Sequence, residues 1–208
     1  MAVSINGNTG VVTGIAVGGL PDGIVDTDML AANAVATAKI ADDAVTAAKR
    51  GAGAILQVVQ TTKTDTASTN STSEADLMTL AITPTASNSK ILLFVDLKFG
   101  SSSPSTDPII RLYRDSTQIY MGDADGNRGR SMFGADEYDS YNNATWLLKC
   151  VQGNYLDSPS TASQITYKVK WRIVDTNHTL YLNRTGNDGN HVNYPRTASS
   201  IVAMEVAA

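Results

Sequence analysis

The feature that most constrains this chain is a ten-residue repeat near its N-terminus, set in a stretch of 54 residues with no aromatic side chain. Residues 25–34 read VDTDMLAANA, residues 35–44 read VATAKIADDA and residues 45–54 read VTAAKRGAGA. Val25, Val35 and Val45 align, Leu30 and Ile40 align at the midpoint, and Arg50 breaks the pattern in the third copy. Large apolar residues therefore recur every five positions, a period that matches neither an α-helix nor a strand. Each copy reads as about one helical turn, entered through a Thr or Asp cap and followed by a short extended or turn segment. Fixing each residue costs about 1–2 kcal/mol of backbone entropy, while each of the two large side chains in a copy returns about 1.5–3 kcal/mol on burial. One strand of this repeat should not hold a shape by itself. The expectation is a trimeric stalk with Val25, Leu30, Val35, Ile40 and Val45 packed along one axis. The competing reading is an Ala-rich linker, but the register is kept and residues 24–50 contain no Gly, unlike a flexible linker.

Composition removes several function classes. The net charge of -4 argues against a protein that binds nucleic acid by neutralising phosphates. Cys150 is the sole cysteine, so neither an intrachain disulfide nor a multi-Cys metal site is expected. The two histidines, His178 and His191, leave little for acid–base or metal chemistry. The first residues, MAVSINGNTGVV, lack the basic and long apolar regions of a signal peptide, and no apolar run approaches 18 residues. The expectation is no cofactor, no metal, no nucleic-acid partner and no membrane insertion.

Ahead of the repeat, Asn6-Gly7 signals a hairpin turn, and Gly18-Gly19 with Pro21-Asp22-Gly23 redirect the chain. Residues 1–24 read as a small hook suited to docking on another protein. After Ile55 the texture changes: β-branched and aromatic runs alternate with Ser/Asn/Gly/Pro clusters, in a chain with 23 Thr. Strands are expected at 55–64, 77–83, 90–100, 109–114 with 118–121, 145–152, 164–174, 178–183 and 199–206. Ile165, Tyr167, Val169, Trp171 and Ile173 fall at period two, with Thr166, Lys168, Lys170 and Arg172 opposite, the pattern of a half-buried antiparallel strand. Cys150, in a strand, reads as a small buried apolar residue. The fold class expected is mostly β: a C-terminal jelly-roll-like antiparallel β-sandwich behind an extended, short-helical repeat stalk. Three parts follow: residues 1–24 for docking, 25–54 as stalk and 55–208 as the sandwich tip.

Few residues carry chemistry. Gly122-Asp123-Ala124-Asp125-Gly126-Asn127 opens like a calcium loop, but Arg128 and Gly134 stand where an EF-hand needs Gly and Glu, so a glycine-rich turn is expected. Asp136, Glu137 and Asp139, beside Tyr138 and Tyr141, are the one carboxylate cluster that would suit glycoside hydrolysis. No Gly-x-Ser-x-Gly elbow is present, and no catalytic residue is assigned. Loop residues that stack on and hydrogen-bond to sugars form two groups. One is Tyr138, Tyr141, Asn142 and Asn143; the other is Arg184, Asn187, Asp188, Asn190, His191 and Tyr194.

The run AAKRGAGAILQVVQTTKTDTASTNSTS, then LAITPTASNSKILLFVDLKFG, LYRDSTQI with GDADGNRGR, YLDSPSTASQITYKVKWR, TLYLNRTGNDGN and RTASSIVAMEVAA together resemble a C-terminal domain of marine bacteriophage virion fibre proteins. VDTDMLAANAVATAKIADDAVTAAK resembles the decapeptide repeats of phage fibre stalks. The resemblance covers residue 25 to the end. It implies a homotrimeric virion fibre with a β-sandwich tip, attached by its N-terminus to either the tail or the capsid; the leading expectation is a tail fibre, assembled in the bacterial cytoplasm. Its N-terminus would hold a tail, portal or adaptor, or capsid protein, and its sandwich tip would face a host glycan or protein. A head fibre or capsid decoration protein is the alternative, and a small glycan-hydrolase spike the second.

Overall fold

The computed structural model describes residues 4–6, 11–13, 40, 44–45, 49–104, 106–134 and 144–208. The chain divides into two compact units, Met1–Thr46 and Ala47–Ala208. In the first, β1 (Ser4–Asn6) and β2 (Val11–Thr13) pair as an antiparallel hairpin with Ile5 opposite Val12, where Asn6-Gly7 signals one. Of the five expected stalk positions, Val25, Leu30 and Val35 lie outside the described residues. Ile40 and Val45 are described, and both are exposed.

The second unit is built from β3 (Ile55–Lys63), β4 (Ala67–Thr69), β5 (Ala75–Ile82), β6 (Lys90–Ser101), β7 (Pro108–Arg114), β8 (Thr117–Ile119), β9 (Phe133–Gly134), β10 (Lys149–Asp157), β11 (Ile165–Ile173), β12 (Leu180–Leu182) and β13 (Ser199–Val206). Every strand pairing is antiparallel. The register shows that several short strands are halves of one interrupted strand. β13 and β12 bond successive stretches of the same edge of β6, residues 90–96 and 99–101, and β10 takes the opposite edge. β3 and β4 continue that split on the far sides of β13 and β12. The first sheet is therefore β3/β4, β13/β12, β6, β10, and the second is β5, β11, β7, then β8 and β9. With each interrupted pair counted once, the chain visits the first and second sheets in the order 1, 2, 1, 2, 2, 1, 2, 1. That order is a jelly roll.

One strand and one residue on it depart from the sequence expectations. The strand expected at 145–152 is a 3-10 turn at Ala144–Trp146 followed by β10, which runs on to Asp157 through Gly153 and Asn154. Strand propensity disfavours both residues. Gly153 is needed because the Tyr120 ring fills its side-chain position: a Cβ there would lie 2.9 Å from Tyr120 Cε1. Cys150 is not buried. It sits on the outer face of β10, where its Sγ donates to Asp96 Oδ1 at 3.2 Å. The pleat puts Val151 inward and Cys150 outward.

The core lies between the sheets. β11 buries every second residue from Ile165 to Ile173, as its alternation predicts, and Phe99 stacks on Trp171 across the layer at 6.2 Å. Two buried carboxylates are satisfied. Asp157 accepts from Arg114 Nη1 at 2.8 and 2.9 Å and from the Tyr167 hydroxyl at 2.7 Å. Glu205 accepts from Gln57 Nε2 at 2.6 Å and from the Thr85 amide and hydroxyl at 2.7 Å each.

The two outward faces differ in chemistry. On the second sheet, Asp76, Lys170 and Arg111 lie side by side across three strands. Lys170 pairs with Asp76, Arg111 with Glu74, and the Lys170 ammonium stands 5.1 Å from the centre of the Tyr113 ring. On the first sheet the corresponding rows are apolar next to the point where the chain enters the fold.

Candidate functional site

β12 and β13 would be one strand but for residues 183–198, which leave the sheet between them and return. This insertion holds the second group of sugar-contact candidates. Its base is closed by side chains where the ladder is interrupted. Asn183, buried and with φ of 59°, donates from its backbone amide to Lys98 O at 2.8 Å. Its Nδ2 donates to Lys63 O at 2.8 Å and Asp65 O at 3.0 Å, and its Oδ1 accepts from Ser199 Oγ at 2.6 Å. Asn is among the few residues that tolerate a left-handed backbone, so one residue both turns the chain out and ties three segments together.

The insertion then folds back over the outer face of the first sheet. A Cβ on Gly100 would lie 2.3 Å from Arg184 O, and one on Gly186 would lie 2.2 Å from Ser101 O. Such approaches are open only to Gly. The Asn187 amide donates to Thr145 O at 2.8 Å, which fastens the insertion to the 3-10 turn. The first candidate group, Tyr138, Tyr141, Asn142 and Asn143, lies outside the described residues, as do Asp136, Glu137 and Asp139. In sequence that segment runs directly into this turn.

The six described candidates have different surroundings. The Arg184 guanidinium lies 3.6 Å from the centre of the Tyr181 ring and donates to Thr185 O and Gly186 O, so its head is turned into the insertion. Asp188 pairs with both Arg184, at 3.6 Å, and Arg196. Asn187 is half-buried at the Thr145 contact, while Asn190 and His191 are exposed. His191, Asn193 and Tyr194 form a turn: the Tyr194 amide donates to His191 O at 3.0 Å, and the Asn193 amide donates to His191 Nδ1 at 3.2 Å.

The structure adds a residue that the sequence reading left out. Trp146 meets Tyr194 edge-on at 5.9 Å between ring centres, Tyr194 lies 5.7 Å from the His191 ring, and Trp146 remains 51% exposed. Its position outside any alternating run was the available signal. Trp171 stands in a period-two strand and is buried, whereas Trp146 follows Asn142-Asn143-Ala144-Thr145, where no periodicity asks for a core residue. Flat rings with polar neighbours on a fixed base can stack on an apolar ring face and hydrogen-bond its hydroxyls. The arrangement is suited to binding; it includes no nucleophile–base pair among the described residues.

The insertion also has a defined place along the fold. The chain enters the sandwich at 51–54, where the Gly53 amide donates to Ala207 O at 2.8 Å and the Ala207 amide to Ala54 O at 2.9 Å. β13 leads from the insertion at Ser199 to Val206 beside that entry, a span of roughly 23 Å at about 3.3 Å per residue. The aromatic cluster and the chain entry are thus at opposite ends of β13.

No protein-family model matches the chain, and no curated protein matches it. Matches among solved structures include the VP2 subviral particle of infectious bursal disease virus, 10% identical over 73% of this chain and 41% of that one, with a TM-score of 0.37. T=1 particles derived from the same virus match at 12% identity over 73% of this chain and 36% of that chain, TM-score 0.37. Its Gx strain matches at 12% over 74% and 38%, TM-score 0.28. The chain spans about two-fifths of the length of these proteins.

Proposed function

We propose that this chain is a non-catalytic structural protein of a bacteriophage particle. It is a homotrimeric tail fibre, held to the virion by residues 1–24, trimerised through the repeat at 25–54 and presenting the jelly roll for attachment to a host surface. The repeat, which cannot bury its Val, Leu and Ile without sister chains, and the resemblance of residues 25–208 to phage fibre proteins support this reading. The observation that carries it is the opposition described above: the chain enters at one end of β13, and the braced insertion with Trp146, Tyr194 and His191 emerges at the other. A tip built this way points its recognition loops away from its tether.

Three measurements test it. Light scattering on the full chain should give three times the mass of 22.0 kDa; a monomer or dimer overturns the reading. Cell binding by the recombinant trimer should fall at least tenfold in Trp146→Ala with the fold intact, and unchanged binding removes the attachment role. A particle reconstruction should show a few trimers at the tail. Many copies on the capsid would instead establish the head-fibre or decoration reading.

A further inference from the structure

Among the described residues, nothing covers an apolar field on the outer face of the first sheet. Val58, Met204, Leu92 and Leu156 stand side by side across its four strands, each the register partner of the next. The neighbouring row contains Val202 and Phe94, flanked by Gln60 and Asn154. Val58 is 54%, Phe94 41% and Leu156 48% exposed. Farther along the same face come Thr62, Ser200, Asp96 and Gln152, and beyond them the insertion closes over Gly100. The field therefore occupies the half of the face nearest the chain entry at 51–54. An antiparallel sheet with one solvated face ordinarily alternates apolar inward with polar outward. The second sheet obeys that rule through its Asp76–Lys170–Arg111 row, and the first does not.

We infer that this field is the contact between the tips of the trimer, so that the first sheet of each copy faces the axis and the charged second sheet faces water. The inference rests on the trimeric reading above. The occupant is a second copy of this chain, and the size of the field argues for it. Three side chains about half open (Val58, Phe94 and Leu156) and three half-buried ones (Leu92, Val202 and Met204) amount to roughly 200–400 Å² of apolar surface per chain. A free-standing protein–protein interface needs about 800 Å² per partner, so an untethered partner would not be held here. Sister chains joined through the neighbouring repeat are different, because a short tether supplies an effective concentration in the millimolar range and a weak contact then suffices. In this arrangement the three insertions gather around the distal end of the axis, and the aromatic surface for attachment is shared among copies.

The native Cys150 lies on the same outer face, on β10 opposite Lys98, and makes a site-specific reporter. A folded unit of this size is roughly 40 Å across. Spin labels on Cys150 of the full-length protein should give inter-chain distances under about 35 Å, and labels on Lys168→Cys in a Cys150→Ser background should give distances beyond about 50 Å. Trimers by light scattering with the opposite pattern, or with both distances long, overturn the inference while leaving the trimer intact. A full-length protein that is not trimeric, with no inter-chain signal from either label, overturns the underlying reading and the inference with it. Phe94→Lys with Leu156→Lys should lengthen or broaden the Cys150 distances without loss of the trimer; unchanged distances overturn the contact assignment.

Discussion

Ser199 Oγ donates a 2.6 Å hydrogen bond to Asn183 Oδ1, joining the first residue of the 183–198 insertion to the first residue of the strand that receives the chain back. Both residues are buried, and the Asn183 amide group also holds Lys63 O and Asp65 O. Asn183→Leu removes the side-chain donor to two carbonyls and the acceptor of the Ser199 hydroxyl, which keeps only the Lys98 amide, and puts a γ-branched residue at a φ of 59°. Each unsatisfied buried group costs about 1–3 kcal/mol, so the loss should be about 3 kcal/mol or more. At roughly 2–4 °C per kcal/mol for a domain this size, Tm should fall by about 6–12 °C in a thermal melt. Asn183→Asp keeps the backbone preference but sets a buried carboxylate oxygen against the Lys63 and Asp65 carbonyls, so it should also fall well below wild type. Equal stability of all three would show that the base of the insertion is not held this way.

Much of the sandwich was legible because its signal is local. β11 alternates without interruption, and both its burial and its charged outer face follow from that pattern. β10 was misplaced because its second half depends on a distant residue: Gly153 is acceptable in a strand only with Tyr120 packed into its place. The 183–198 insertion was readable as a loop rich in contact residues. That it interrupts a single strand was not, since the continuity of β12 and β13 exists only in their shared edge on β6. Trp146 escaped for a related reason, because its partner Tyr194 is brought to it by the Asn187–Thr145 bond rather than by proximity in the chain.

The Arg114–Asp157–Tyr167 group separates two kinds of loss. Removing one hydrogen bond by Tyr167→Phe should cost about 1–2 kcal/mol. Asp157→Leu leaves Arg114 and the Tyr167 hydroxyl facing an apolar group, and breaking a buried pair in this way costs about 3–5 kcal/mol. Chemical denaturation of the two variants checks the order. Burial, and then the neighbouring Asp157 carboxylate, raise the Tyr167 phenol above its ordinary value of 10.0. The unfolded chain therefore loses that proton first, and the contribution of Tyr167 is complete below about pH 10 and declines as the pH rises above it. Ultraviolet titration should leave at least one of the eight tyrosines, Tyr167, un-ionised until the protein unfolds.

Glu205 gives the acid limb. Burial pushes its carboxyl up, but hydrogen bonds from Ser89, Gln57 and Thr85 outweigh burial and hold it below the ordinary value of 4.5. The unfolded chain takes up the proton first, so this contribution is present above about pH 4.5 and is lost as the pH falls through the lower folded value. Glu205→Gln keeps the shape but removes one charged acceptor. It should lower stability at pH 7 and flatten the fall in stability between pH 5 and 3 when melts are taken across that range. A variant whose acid limb is as steep as wild type would place the sensitivity on other carboxylates.

Two glycines should respond differently to the same added methyl group, because different atoms stand in its way. At Gly153 the obstacles are the ring edge of Tyr120 at 2.9 Å and Met132 Sδ at 3.2 Å, both on side chains that can shift. Overpacking of that kind costs about 1–3 kcal/mol, and Gly153→Ala with Tyr120→Leu should recover part of it. At Gly186 the obstacles are Ser101 O at 2.2 Å and Thr145 Cα at 2.9 Å, which belong to the backbone of β6 and of the 3-10 turn. Gly186→Ala should therefore lift the insertion off the sheet rather than compress it. Its signature is faster exchange of the Asn187 amide and a changed Trp146 emission, with the midpoint of global unfolding moved less than by Gly153→Ala. Amide exchange by NMR and fluorescence on the two variants distinguish these outcomes. A Gly186→Ala protein with a protected Asn187 amide would mean that the insertion is not seated on Thr145.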